Sequence, residues 1–271
     1  MFFETHDGTQ LWYEEYGTGE TLVFVASSML NTEMWEYQLP FFAENGFRCV
    51  AFDRRGHGRS DRPSGGYDID STADDLAALL DHLDLRDVTL IGHSLGGAEI
   101  TRYLARHGSG RVRRAVLIAA MLPLLARTDD NPDGVPEPAV AATMAELRRD
   151  RPKWLTRQAQ AFFATHLGND VSPALVEHTL AQCLSASPWA TLQAQRESLF
   201  NDQRATLPEI DVPVLVVHGA ADMSAPVELT GRRTAGLIPG AVYEEYPTAG
   251  HGIYASHHEQ LNADVLAFVK G

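Results

Sequence analysis

A serine between glycines, Gly92-His93-Ser94-Leu95-Gly96, follows the apolar run VTLIG at 88–92 and precedes a helix-like segment. A strand before and a helix after are what the G-x-S-x-G pattern requires. The turn is so tight that side chains at positions 92 and 96 would strike backbone, and Ser94 is pushed out at the sheet edge. Its hydroxyl then stands at a helix N-terminus, where the Leu95 amide has no partner within the helix and the macrodipole favours negative charge. That arrangement suits attack on a carbonyl carbon, with the Leu95 N–H receiving the oxyanion.

A serine hydroxyl alone is a weak nucleophile at neutral pH, so a base and an acid to orient it must follow. The expected chain order is serine, acid, histidine. In VLVVHGAADMSAP, Asp222 lies in the loop directly after a strand, with Pro226 suited to the first turn of the next helix. Asp202 is the alternative acid. In YPTAGHGIY, His251 sits in a glycine-flanked loop after the last strand. Eleven histidines compete for the role. His6, His82, His107, His166, His178, His257 and His258 fall in hairpin, helical or terminal positions, and His57, His93 and His218 do not follow Asp222.

The elements that must bring these residues together are visible as alternating patterns. Asp7-Gly8 marks a hairpin over 2–16, since that dipeptide accepts the positive φ of a tight turn. Short β-rich runs follow at 21–26, 47–52, 88–92, 112–119, 212–218 and 241–246. Leu76, Leu79, Leu80 and Leu83 repeat at helical spacing, with STAD at 71–74 as a capping box opening the helix. Ile100, Tyr103 and Leu104 repeat the spacing before Gly108, and Leu261, Val265, Phe268 and Val269 do so near the C-terminus. Continuous apolar strands separated by helices predict an α/β fold, a mostly parallel sheet with helices on both faces. The alternation breaks over 121–206, where RTDDNPDGVPEP leads into helices only. Trp154, Leu155, Phe162, Phe163 and Leu167 offer the apolar face there. The expected plan is a core domain of 1–120 and 207–271 with a helical cap insertion at 121–206, above the sheet edge where open α/β folds bind ligands.

Composition narrows the function. The chain has 271 residues, 44% hydrophobic and 21% charged, and a formal charge of −14 with no basic tract to follow a phosphate backbone. Nucleic acid is not the expected partner, and uncharged substrates are favoured over polyanions. Cys49 and Cys183 are too few for a disulfide framework or a zinc cluster, and read as buried structural thiols. MFFETHDGTQ lacks the basic and apolar regions of a signal peptide, and no run of 18 apolar residues occurs. The expected location is the cytoplasm, with no membrane partner.

Taken together, FDRRGHGRSDRP, ADDLAALLDHLDL, GHSLGG, YLARHG, VPVLVVHG and LNADVLAFV resemble the α/β-hydrolase superfamily, and within it the arylesterase branch that includes the cofactor-free haloperoxidases, or perhydrolases. The resemblance covers nearly the whole chain outside the insertion. It implies the α/β-hydrolase fold and a triad of Ser94, Asp222 and His251. It also implies no metal or cofactor, turnover of small esters through an acyl-enzyme, and room for a homo-oligomer.

One departure is informative. After the strand ending at Val25 the branch usually carries His-Gly, a bulky residue and often proline, whereas this chain reads Ala26-Ser27-Ser28-Met29-Leu30. By position Ser28 supplies the second oxyanion amide, and an amide does not depend on its own side chain. Met29 stands where perhydrolytic relatives often have proline, which would fix φ and remove an N–H. Hydrolysis, or acyl transfer to an alcohol, is therefore expected over peracid formation. Ser224 and Ala225 replace branched residues after the acid and should widen the pocket, with Met29, Leu125, Phe162, Leu95 and Met223 as further walls. Perhydrolysis, cleavage of a small cyclic amide, and ligand binding without turnover are the other readings.

Overall fold

A computed structural model describes residues 1–271. Strands β1 (Phe2–Glu4) and β2 (Gln10–Tyr16) form the expected hairpin, and Gly8 turns it with φ +83°. Next come β3 (Glu20–Val25), β4 (Phe47–Phe52), β5 (Val88–His93), β6 (Val112–Ile118), β7 (Val214–Gly219) and β8 (Val242–Tyr246). The sheet order is β1-β2-β4-β3-β5-β6-β7-β8. From β4 to β8 all neighbours are parallel, and β2 joins β4 antiparallel.

Strand side chains alternate between two cores. Val23, Val25, Val50 and Leu90 face helices α2 (Ile69–His82) and α3 (Leu95–His107), whose Leu76, Leu79, Leu80, Ile100 and Tyr103 are buried against them. Leu22, Phe24, Cys49 and Ala51 face the other way, toward α1 (Gln38–Glu44) and the C-terminal helix, through Leu39, Phe42, Leu261 and Val265. Burial of each such side chain is worth about 1.5–3 kcal/mol, and the two layers fix the height of every strand end.

Between β6 and β7 run four helices, α4 (Glu137–Arg149), α5 (Arg151–Phe163), α6 (Pro173–Ser185) and α7 (Pro188–Phe200). After β7 come α8 (Gly231–Leu237), α9 (Ile253–Ser256) and α10 (His258–Lys270). No helix is long and apolar enough to cross a membrane.

Three local expectations need correction. Helix α2 opens earlier than the Ser71–Asp74 box: Asp68 is its N-cap, accepting from the Ser71 N–H at 2.9 Å and from the Ser71 hydroxyl at 2.9 Å. Aspartate is as good an N-cap as serine, and its choice adds nearly a full turn of helix, residues 69–71. Strand β7 starts at Val214, because Pro213 has no N–H to give the ladder, though its carbonyl still accepts from Ala115 at 3.0 Å. Leu167 lies in a short turn after α5 and is 46% exposed, outside the apolar face that Leu155 and Phe163 form.

Candidate active site

Ser94 occupies the one-residue junction between β5 and α3, with φ 57° and ψ −119°. A non-glycine residue in that region is strained, and two close approaches hold it there. A Cβ on Gly96 would lie 2.3 Å from the Val25 carbonyl oxygen, and one on Gly92 would lie 2.6 Å from the Gly96 carbonyl. The glycines thus let α3 press against the end of β3, while the Ser94 amide donates to Ile118 O at 2.9 Å.

The two partners arrive from the ends of β7 and β8. His251 Nε2 is 2.9 Å from Ser94 Oγ, and His251 Nδ1 is 2.7 Å from Asp222 Oδ2. The other Asp222 oxygen accepts from the Ser224 and Ala225 amides, both at 2.8 Å. Burial pushes the Asp222 carboxyl up, but the adjacent His251 and the hydrogen bonds from His218 and His251 reverse this and hold it well below the usual carboxylate range. Asp222 is therefore ionised and all three groups are buried. Since the Asp222 carboxylate accepts a hydrogen bond from His251 Nδ1–H, Nε2 is left unprotonated toward the serine hydroxyl. Asp202 is tied instead to Arg204 at 2.7 Å, on a different part of the surface.

Two donors suit an oxyanion beside Ser94. Leu95 is the first residue of α3, so its N–H has no partner within the helix. The Ser28 N–H, in the loop after β3, makes no hydrogen bond to the rest of the chain, and Ser28 and Ser94 face the same cavity. Met29 follows with φ 67° while 5% exposed.

That cavity holds about 250 Å³ and runs from Ser94 and His251 up between the helices of 121–206. Met29, Phe162, Met223 and Ser224 line it as expected, and Val140, Leu180 and Cys183 line it as well. Leu125 and Ala225 do not line it. Both are almost fully buried in a small cluster with Met121, Val140 and Leu199, one layer behind the wall. The Leu95 side chain likewise points away, into the core under the sheet. No lysine, arginine, aspartate or glutamate lines the cavity, so an ionic group inside would have no counter-charge.

Several supporting residues escaped the sequence reading. His93 Nε2 donates to the His251 carbonyl at 2.8 Å and its ring lies edge-on to that of His251 at 4.9 Å. His218 Nε2 donates to Ala225 O at 2.8 Å and sits 3.4 Å from Asp222 Oδ2, behind the acid. Neither follows Asp222 in the chain, and chain order, which points to a base, says nothing about residues that buttress one. From α5, Phe162 packs against the His251 ring at 5.4 Å and its carbonyl accepts from Gly252 N–H at 2.7 Å.

Comparison with known proteins agrees with this geometry. A family model described as alpha/beta hydrolase fold matches residues 20–257. A non-heme chloroperoxidase of Kitasatospora aureofaciens is 38% identical over 98% of each chain. A bifunctional esterase/perhydrolase of Acinetobacter calcoaceticus is 34% identical over 99% of each chain. Among solved structures, an esterase from Exiguobacterium antarcticum superposes with a TM-score of 0.95 at 31% identity, covering 100% of this chain and 99% of that one.

Proposed function

Because the chain belongs to the α/β-hydrolase family, we propose that it is an esterase that cleaves small, uncharged carboxylic esters through an acyl-enzyme on Ser94. The observation that carries this is the chain of contacts from Ser94 Oγ through His251 to Asp222, 2.9 Å and 2.7 Å long, at the floor of a cavity without charged walls.

In this reading Ser94 Oγ attacks the ester carbonyl while His251 Nε2 takes its proton. Asp222 keeps the ring in the right tautomer and stabilises the imidazolium. The amides of Leu95 and Ser28 receive the oxyanion, each worth about 2.7–4 kcal/mol of transition-state stabilisation by mutational precedent. The alcohol leaves with the proton from His251, and water then attacks the acyl group with His251 again as base.

Replacing the attacking water by hydrogen peroxide would release a peracid by the same steps. The name of the Acinetobacter relative, esterase/perhydrolase, favours this second reading. Against it stands the backbone at Met29, whose φ of 67° no proline can adopt.

Rapid mixing with an activated aryl ester tests the proposal. Wild-type protein should give a burst of one phenolate per site, and Ser94→Ala should give none. A burst that survives in the variant would assign the nucleophile elsewhere. Supplying peroxide, acetate and bromide to the same preparation should leave an indicator dye unbrominated.

A further inference from the structure

The loop after β3 lacks the usual His-Gly pair, yet its peptide groups are held from below by two consecutive residues beyond the end of β4. Asp53 accepts from the Thr32 amide at 2.8 Å and from the Arg59 amide at 2.8 Å. Arg54 turns the other way. Its guanidinium donates to Ala26 O at 2.8 Å and to Ser27 O at 3.0 Å. Its remaining edge forms a paired contact with Glu99 of α3, at 2.5 and 2.7 Å. The Arg54 and Glu99 side chains are only 4% and 1% exposed.

Two geometric facts give this contact a consequence for chemistry. The Ser27 carbonyl and the Ser28 N–H belong to one planar trans peptide, so they point in opposite directions. Holding Ser27 O on Arg54 therefore fixes the direction of the Ser28 N–H. Glu99 and Ser94 ride at the start of one helix, so Arg54 refers the loop to the same rigid element that carries the nucleophile. Gly96 permits the contact, because α3 meets the Val25 and Ala26 carbonyls where any Cβ would clash.

We propose that the Arg54–Glu99 pair is the positioning device for the second oxyanion donor, holding the peptide 27–28 so that the Ser28 N–H faces the acyl carbonyl on Ser94. The inference rests on the ester-hydrolase reading and adds a role to two residues that never touch substrate. A planar fork is needed for it. Arginine reaches two carbonyls and a carboxylate together, which a lysine ammonium cannot do with the same geometry.

The test separates this from ordinary structural support. An aryl ester and its thionoester, with the same acyl and leaving groups, place an oxygen or a sulfur anion in the hole, and sulfur accepts hydrogen bonds poorly. The double variant Arg54→Met/Glu99→Leu removes both charges together, a change that buried ion pairs often tolerate. It should keep a cooperative unfolding transition. Its kcat on the oxygen ester should fall about 10²-fold, the loss expected for one oxyanion donor, with KM nearly constant and kcat on the thionoester changed far less. Arg54→Lys should fall between wild type and the double variant in the ratio of the two kcat values, and it decides the matter alone if the double variant does not fold. Equal losses on both substrates, or no loss, would overturn the inference. Wild-type protein inert toward the oxygen ester would instead remove the ester-hydrolase reading on which it rests.

Discussion

At the scale of single residues, the site depends on backbone conformations that L-amino acids seldom adopt. Ser94 and Met29 both have positive φ, 57° and 67°, on either side of the place where an acyl carbonyl would sit. Ser94 was legible because its strain is written as flanking glycines. Met29 was not, since nothing in a methionine signals a left-handed residue. The strain yields a prediction that side-chain size alone would not. Glycine adopts φ near +67° freely, so Met29→Gly should leave ester kcat within about threefold of wild type. Proline requires φ near −65°. Met29→Pro must rebuild the loop next to Ser28, and a displaced oxyanion donor should lower kcat at least tenfold, equivalent to about 1.4 kcal/mol of barrier. Steady-state kinetics on one aryl ester would check both, and equal activities would show that the loop geometry is immaterial.

At the scale of elements, sheet and helices were readable because their periods are set by burial. Continuous apolar runs are what a strand covered on both faces requires, and β3 to β7 fell where those runs are. What could not be read is depth. Leu125 and Ala225 share the apolar character and approximate position of true wall residues, but lie one layer behind the cavity surface. Helix ends were also hard to place: Ser71 opens a box that reads as a cap, and only the hydrogen bonds from Ser71 back to Asp68 show that the helix starts three residues earlier. This makes the cap of α2 a clean measurement. Asp68→Ala leaves the Ser71 N–H without its acceptor and should cost about 0.5–2 kcal/mol. Ser71→Ala removes only a hydroxyl donor at a half-buried position and should cost a few tenths, the usual range near the surface. Urea unfolding of the two variants would distinguish them, and a larger loss for Ser71→Ala would return the cap to the residue first expected.

At the scale of the whole molecule, the sheet encloses imidazoles that cannot accept a proton where they lie. His57 Nδ1 donates to Arg55 O at 2.9 Å and His93 Nε2 donates to the His251 carbonyl at 2.8 Å. The second nitrogen of each ring is buried and without a partner. Burial, reinforced by Arg54 near His57 and by His251 near His93, pushes both rings down to about 3. In the unfolded chain they titrate near the usual value of about 6.5. Between those two values the unfolded state binds more protons than the native one, so stability rises with pH and is lost as pH falls below about 6.5. Two such groups give a slope of roughly 2.7 kcal/mol per pH unit, against a total stability of about 5–15 kcal/mol for a typical domain. The two rings should therefore lower the free energy of unfolding by about 3 kcal/mol between pH 6.5 and pH 5, partly offset by Asp75, whose carboxyl burial pushes up to about 6. His57→Asn retains a donor for the Arg55 carbonyl but cannot be protonated, so its profile over that interval should be shallower by about 1.4 kcal/mol per pH unit. Urea titrations of wild type and variant at half-unit pH steps would measure both slopes. Parallel profiles would mean that His57 is protonated in the native state, and that the enclosure of the loop carrying Arg54 is looser than its hydrogen bonds require.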